Sequence, residues 1–334
     1  MREPKAASQP AKQAYLAGLT QWIKRRETIC TAERDVFAKQ IFTQAKSYRQ
    51  AFRKMLGYPL SDFETTALPT VKVQTLGEEN GYTISRMQFE ILDGVWMSGL
   101  LYQKGNARLP LVIVQHGGEG TPELIAGLYG STANYNEMLT RVLAQGVHVF
   151  APQLLLWNPE CYEVPYDRVE LDAKLKRVGS SITAVEVFGI TRIMDWLEAQ
   201  PYVKNFGMVG LSYGGFYTLF TAAADERILS ALSCAYFNDS LQNGWADWSW
   251  DNAAKTFGNA EIACLVYPRR LCLEVAKSDP LFAYKTAEQE WRRLLSLTES
   301  VGQDWLSFVG FAGEHEFCKD DAPLKRLAQD LMQA

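Results

Sequence analysis

The sequence predicts an α/β protein: a mainly parallel, doubly wound sheet, entered through an antiparallel N-terminal β-hairpin region and preceded by a helical appendage. Two observations carry this. Short, continuous apolar runs at 109–115, 147–152, 207–211, 228–236, 271–276 and 305–311 alternate with helical stretches. Strands buried on both faces and separated by helices are the mark of a parallel sheet. Upstream, strand-like runs at 71–76, 83–91 and 95–102 are parted only by the turn signals Glu79-Asn80-Gly81 and Asp93-Gly94, where glycine tolerates the positive φ of a tight hairpin.

Taken in order, the first 60 residues hold 12 Lys/Arg against 4 Asp/Glu, a net of +8, so residues 61–334 carry −12. Trp22, Phe37, Phe42, Tyr48 and Phe52 are mixed among those charges, as in a helical segment that docks rather than a disordered tail. Its basic face either is solvated, lies against an acidic body, or meets another surface; a homo-oligomer contact through it is left open. The expected division is a helical appendage over 1–70 and one α/β domain over 71–334, with insertions near 154–180 and 238–262. A helix is expected over 181–200, because Ile182, Val185, Gly189, Ile193 and Trp196 recur at helical spacing before Pro201 stops it. The ligand crevice of such a sheet lies at the carboxyl ends of its strands.

Composition excludes several classes. The 334 residues carry a net −4, 47% hydrophobic and 22% charged residues, a globular balance whose acidity argues against nucleic-acid binding. No apolar run approaches the ~18–20 residues that span a bilayer, so no membrane partner is expected. Met-Arg-Glu-Pro-Lys lacks a signal peptide's apolar core. The six cysteines are scattered without metal-ligand spacing and read as reduced thiols, which makes the cytoplasm the expected location.

The chemistry is carried by Gly210-Leu211-Ser212-Tyr213-Gly214-Gly215, a G-x-S-x-G pattern directly after a strand-like run and directly before a helix-like one. A strand turning abruptly into a helix lifts the central serine to the top of the sheet, at a helix amino terminus that favours developing negative charge. The segment resembles the nucleophile elbow of the α/β-hydrolase superfamily, and the sheet rhythm from about residue 95 to the end covers that fold. The stretches around 171–182, 200–203, 222–228 and 236–239, and the pair His315-Glu316, are similar to acetyl xylan esterases and dienelactone-hydrolase-like carboxylesterases. Two features depart from that pattern. Dienelactone hydrolases proper carry cysteine where this chain has Ser212, and Ala151-Pro152-Gln153 stands where acetyl xylan esterases carry Arg-Gly-Gln.

A serine needs a base, and there are three histidines. His148 lies inside an apolar run and reads as a core residue. His315 follows the last strand, where the resemblance places the triad histidine. His116 opens a glycine-rich turn and is expected to face the substrate. The orienting acid is expected between serine and histidine in sequence. Asp279, on the turn leaving the 271–276 strand, is the first choice, with Asp239 and Glu274 as alternatives. The oxyanion donors are expected to be the backbone N–H groups of Tyr213 and of Gly118, or of its neighbour Gly117. Metal ligation by Glu314, His315 and Glu316 is the other use of that segment, but adjacent residues seldom converge on one ion; neither a metal nor an organic cofactor is expected.

The 243–250 segment holds three tryptophans in six residues. Trp245 and Trp248 are expected either to line the substrate pocket or to pack the insertion onto the body, and Trp157, Cys161 and Tyr162 to form another wall. The reading that follows is a serine esterase acting on small-molecule esters, short acyl or acetyl esters first. The alternatives are a peptidase with the same triad or a catalytically silent binding protein of the same fold.

Overall fold

Three antiparallel strands open the sheet: β1 (Val71–Glu79), β2 (Tyr82–Leu92) and β3 (Val95–Gln103). The Asp93-Gly94 turn closes the second hairpin with Leu92 opposite Val95 and Gly94 at φ 72°. The computed structural model describes residues 4–128, 130, 133–156, 166–242 and 244–334. Trp157, Cys161, Tyr162 and Asn243 of the expected pocket walls lie outside them.

Before the sheet come α1 (Gln9–Phe37) and α2 (Ala45–Leu56). After β3 follow β4 (Leu109–Gln115), α3 (Pro122–Ile125), α4 (Met138–Leu143), β5 (His148–Pro152), α5 (Arg168–Arg177), α6 (Ile182–Glu198) and β6 (Val203–Leu211). The chain continues through α7 (Tyr213–Ala224), β7 (Ile228–Cys234), α8 (Ala253–Thr256), α9 (Asn259–Cys264), β8 (Arg270–Ala276), α10 (Tyr284–Leu297), β9 (Leu306–Phe311) and α11 (Ala322–Gln333). The strand order is β1-β2-β3-β5-β4-β6-β7-β8-β9. All pairings from β5 onward through β4 to β9 are parallel, and β3 joins β5 antiparallel.

This order has a switch point. From β4 the chain steps outward to β5, then returns past β4 to build β6–β9 on the other side. Loops leaving β4 and β6 therefore diverge and leave a crevice between them. Register brings their strands level, with Gln115 opposite Gly210.

Two apolar layers sandwich the sheet. One gathers Phe52 of α2, Ile190 of α6, Phe216 and Phe220 of α7, Ile262 of α9 and Leu294 of α10; the other gathers Met138 of α4 with Leu324 and Leu331 of α11. Leu111, Val112, Ile113 and Val114 have no exposed surface, which is why their run reads as continuously apolar instead of alternating. The helical segment is divided in its behaviour. Phe52 stacks edge-on against Phe220 at 5.3 Å, and Arg49 Nε donates to the Ala223 carbonyl at 3.1 Å, so α2 shares the core of the α/β domain. The amino-terminal half of α1 stands clear of it, with residues 4–25 all exposed.

Candidate active site

Ser212 sits between β6 and α7 at φ 60°, ψ −120°, a conformation that costs a non-glycine residue on the order of 1–3 kcal/mol. The surroundings hold it there. Its N–H donates to the Cys234 carbonyl at 2.9 Å and its carbonyl accepts from Phe216 N at 2.9 Å. The flanking glycines are steric necessities: a Cβ on Gly210 would collide with the Gly214 carbonyl, and one on Gly214 with the Gln115 carbonyl. Close approach of α7 to β4 and β6 is therefore the physical content of the motif.

The turn after β4 abuts this bend, with the Gly117 Cβ direction 3.1 Å from Ser212 Cβ. Gly117 N–H is committed to Tyr135 Oη at 2.8 Å, which leaves Gly118 the next amide along the turn. His116 differs from expectation. Its ring has no exposed surface; Nε2 accepts from Leu154 N at 3.1 Å and Nδ1 lies 2.9 Å from the Gly117 carbonyl. Burial lowers its pKa to about 4, so it is a neutral strut of the turn and does not face substrate. His148 lies at the opposite end of the sheet, its Nδ1 accepting from Lys104 N at 3.0 Å.

His315 and Asp279 leave β9 and β8 at the same end as Ser212. His315 Nδ1 is 2.9 Å from Asp279 Oδ2. Asp279 Oδ1 accepts from Leu281 N at 2.8 Å and Phe282 N at 3.0 Å, and its side chain is fully buried. A carboxylate only accepts, so the imidazole proton sits on Nδ1 and Nε2 keeps its lone pair. Cys234, on the strand between, links both sides. Its carbonyl holds Ser212 N–H, and its thiol donates to the Glu316 carbonyl at 3.6 Å. Among the described residues no hydrogen bond joins Ser212 Oγ to His315. Asp239 spends Oδ1 on Leu241 N at 3.0 Å. Glu316 turns away from His315 toward Asn136 Nδ2 at 2.8 Å and Lys319 Nζ at 3.1 Å, so the Glu-His-Glu run does not converge. Among the described residues no cluster of His, Cys, Asp and Glu is arranged to hold a metal.

Glu274 is buried in β8 with Oε2 lacking a partner among the described residues. Burial raises its pKa to about 7. A carboxyl whose folded pKa lies above its unfolded one favours the fold most below the unfolded value, and that contribution is lost as pH rises through the folded value. With an ordinary value of 4.5 and a folded value of about 7, the loss is of order 3 kcal/mol. Glu274→Gln removes this dependence. Urea titrations should show the variant gaining on the parent protein by roughly that amount between pH 5 and pH 8; parallel curves would reject the assignment.

Behind Ser212 lies a buried network that the sequence pattern does not announce. Arg168 Nε donates to Asp247 Oδ2 at 2.8 Å, and its Nη atoms reach Glu186 Oε2 at 3.0 Å, Tyr217 Oη at 2.7 Å and the Leu155 carbonyl at 2.7 Å. Tyr213 Oη donates to Asp247 Oδ2 at 2.9 Å. Burial alone would lower the Arg168 pKa, but Glu186, Tyr217 and Asp247 hold it well above its ordinary value. Trp245 stacks on the Tyr213 ring at 5.2 Å and 7°. Trp248 packs on Phe216 at 4.9 Å and is 8% exposed, so it belongs to the packing of this wall, whereas Trp245 is half-buried. The signal available in the sequence was Glu186, a single carboxylate in the otherwise apolar face of α6.

No protein-family model and no curated protein matches the sequence. Solved structures do resemble it. A glucuronoyl esterase from Solibacter usitatus aligns with TM-score 0.64 and 15% identity over 87% of this chain and 93% of its own. The methylesterase BT1017 aligns at 0.61 and 18% over 92% and 67%, and acetyl xylan esterase 1 from Thermoanaerobacterium sp. at 0.56 and 13% over 86% and 93%. The chain therefore has the fold of these esterases, the α/β-hydrolase fold.

Proposed function

We propose that the chain is a serine carboxylesterase that works through an acyl-enzyme. The observation that carries this reading is the Asp279–His315 pair, 2.9 Å apart, at the sheet end where Ser212 is held in its strained bend. Ser212 Oγ attacks the ester carbonyl carbon while His315 Nε2 takes the hydroxyl proton. The tetrahedral oxyanion is held by the N–H groups of Tyr213 and Gly118. Collapse expels the alcohol, which receives the proton from His315. Water, deprotonated by the same nitrogen, then cleaves the acyl-serine to release the acid and regenerate Ser212. Asp279 fixes the tautomer and stabilises the imidazolium. The Ser212–His315 hydrogen bond forms as substrate closes the site, a common tightening in free hydrolases.

The similar structures are esterases of acetylated, glucuronoyl and methyl-ester substrates by name, which supports short acyl or small alkyl esters. Trp245, half-buried and stacked on Tyr213, is the wall residue assigned to contact them. A series of p-nitrophenyl esters of rising chain length, run beside acetylated sugars, tests this. Acetate or butyrate should be turned over fastest, and Ser212→Ala should remove turnover by about 10⁶-fold. Equal rates for parent and variant would take the nucleophile's role from Ser212, and no turnover with any ester would leave a silent hydrolase fold instead.

A further inference from the structure

An exposed apolar stripe runs along α1. Tyr15, Leu16, Leu19, Trp22 and Ile23 are 75, 66, 41, 52 and 44% exposed and recur at three- and four-residue spacing along one helix face. This face does not stop at the body. It continues as Cys30, Arg34 and Ala38, which are 8, 4 and 3% exposed because the carboxyl half of α1 docks there, with Phe37 against Phe257 at 5.1 Å. One face of one helix is thus covered over its second half and bare over its first. A helix of 29 residues is about 44 Å long, and the body ends before the stripe does.

The docked half shows how this face makes an interface: small buried apolar contacts ringed by ion pairs. Glu33 pairs with Lys255 at 3.4 Å, Arg34 with Glu261 at 3.7 Å and Asp35 with Arg293 at 2.7 Å. The bare half carries the same kinds of group. Lys5, Lys12, Lys24, Arg25 and Arg26 stand against one acid, Glu27, and these five cations make no ion pair among the described residues. Lys12 and Arg26 lie seven residues to either side of Leu19, which puts both cations in line with the centre of the stripe. A helix lying flat in a lipid surface carries its cations on the opposite face. Cations within the apolar stripe instead match carboxylates on a protein partner.

We propose that this arm docks on a second copy of the same chain. The complementary charge is in the chain itself: residues 4–27 of the arm hold five Lys/Arg against Glu27 alone, while residues 61–334 carry −12, so each arm lying across its partner's body pairs opposite charges in a two-fold dimer. The arm's apolar stripe supplies the buried core of that contact and Lys12 and Arg26 its polar rim.

Sedimentation of the full chain tests this. The parent protein should be a dimer at micromolar concentration, with a dissociation constant that rises with salt. Leu19→Glu with Ile23→Glu should raise that constant at least 100-fold while leaving the thermal midpoint and helical circular dichroism of the body in place. Lys12→Glu with Arg26→Glu should raise it at least tenfold with the apolar stripe intact. A monomer at ~100 µM, or a dimer indifferent to both variants, would overturn the assignment. So would a monomer that pellets with phosphatidylserine vesicles through the same stripe, which would give the arm to a lipid surface.

Discussion

Asp279→Asn should lower kcat on p-nitrophenyl acetate about 10⁴-fold with little change in KM or thermal midpoint. The structure says why so conservative a change is severe. Oδ1 of Asp279 accepts two backbone N–H bonds, from Leu281 and Phe282, so an asparagine must place its carbonyl oxygen there. Its NH₂ then occupies the Oδ2 position, facing His315 Nδ1. A donor facing Nδ1 forces the ring proton onto Nε2, and an Nε2–H cannot accept the proton of Ser212. The fold is untouched because every backbone bond survives. A rate within tenfold of the parent protein would move the orienting role away from Asp279.

Arg168→Met should have the largest effect on stability. It strands the Glu186 and Asp247 carboxylates, whose side chains are 3 and 4% exposed, without their cation. Removing one member of a buried charge cluster costs about 3–5 kcal/mol, a fall in midpoint of roughly 4–7 °C for a chain of this size. Activity should fall as well, since Asp247 holds the hydroxyl of Tyr213, the residue after the nucleophile. Adding Glu186→Gln and Asp247→Asn to the same protein should restore part of the stability, because the stranded charges are then gone. A midpoint loss under ~2 °C for the single variant would show that the network is solvated and dispensable.

What the sequence made legible follows from what is local. The Asp93-Gly94 hairpin closes where the turn chemistry puts it, and Ser181 caps α6 by accepting from Ala184 N at 3.0 Å. The expected elbow also has a structural correlate in the φ of Ser212, because steric exclusion at Gly210 and Gly214 is written in adjacent residues. The crossing of β4 and β5 was not legible, since strand order depends on which helix covers which face. His116 misled because a histidine beside glycines looks like a site residue; only tertiary contacts with Leu154 and Gly117 reveal a buried strut. Arg168, Glu186 and Asp247 are separated by 18 and 61 positions along the chain, with no periodicity to connect them. Their link is a buried charge balance, which a linear reading registers only as an unexplained Glu186 in an apolar helix.

The proposed function requires Ser212 to be an activated nucleophile. A fluorophosphonate probe, followed by mass mapping of the adduct, tests it without assuming any substrate. One adduct per chain is expected, on Ser212, lost in Ser212→Ala and formed far more slowly in Asp279→Asn. An unlabelled parent protein, or an adduct on another residue, would contradict it.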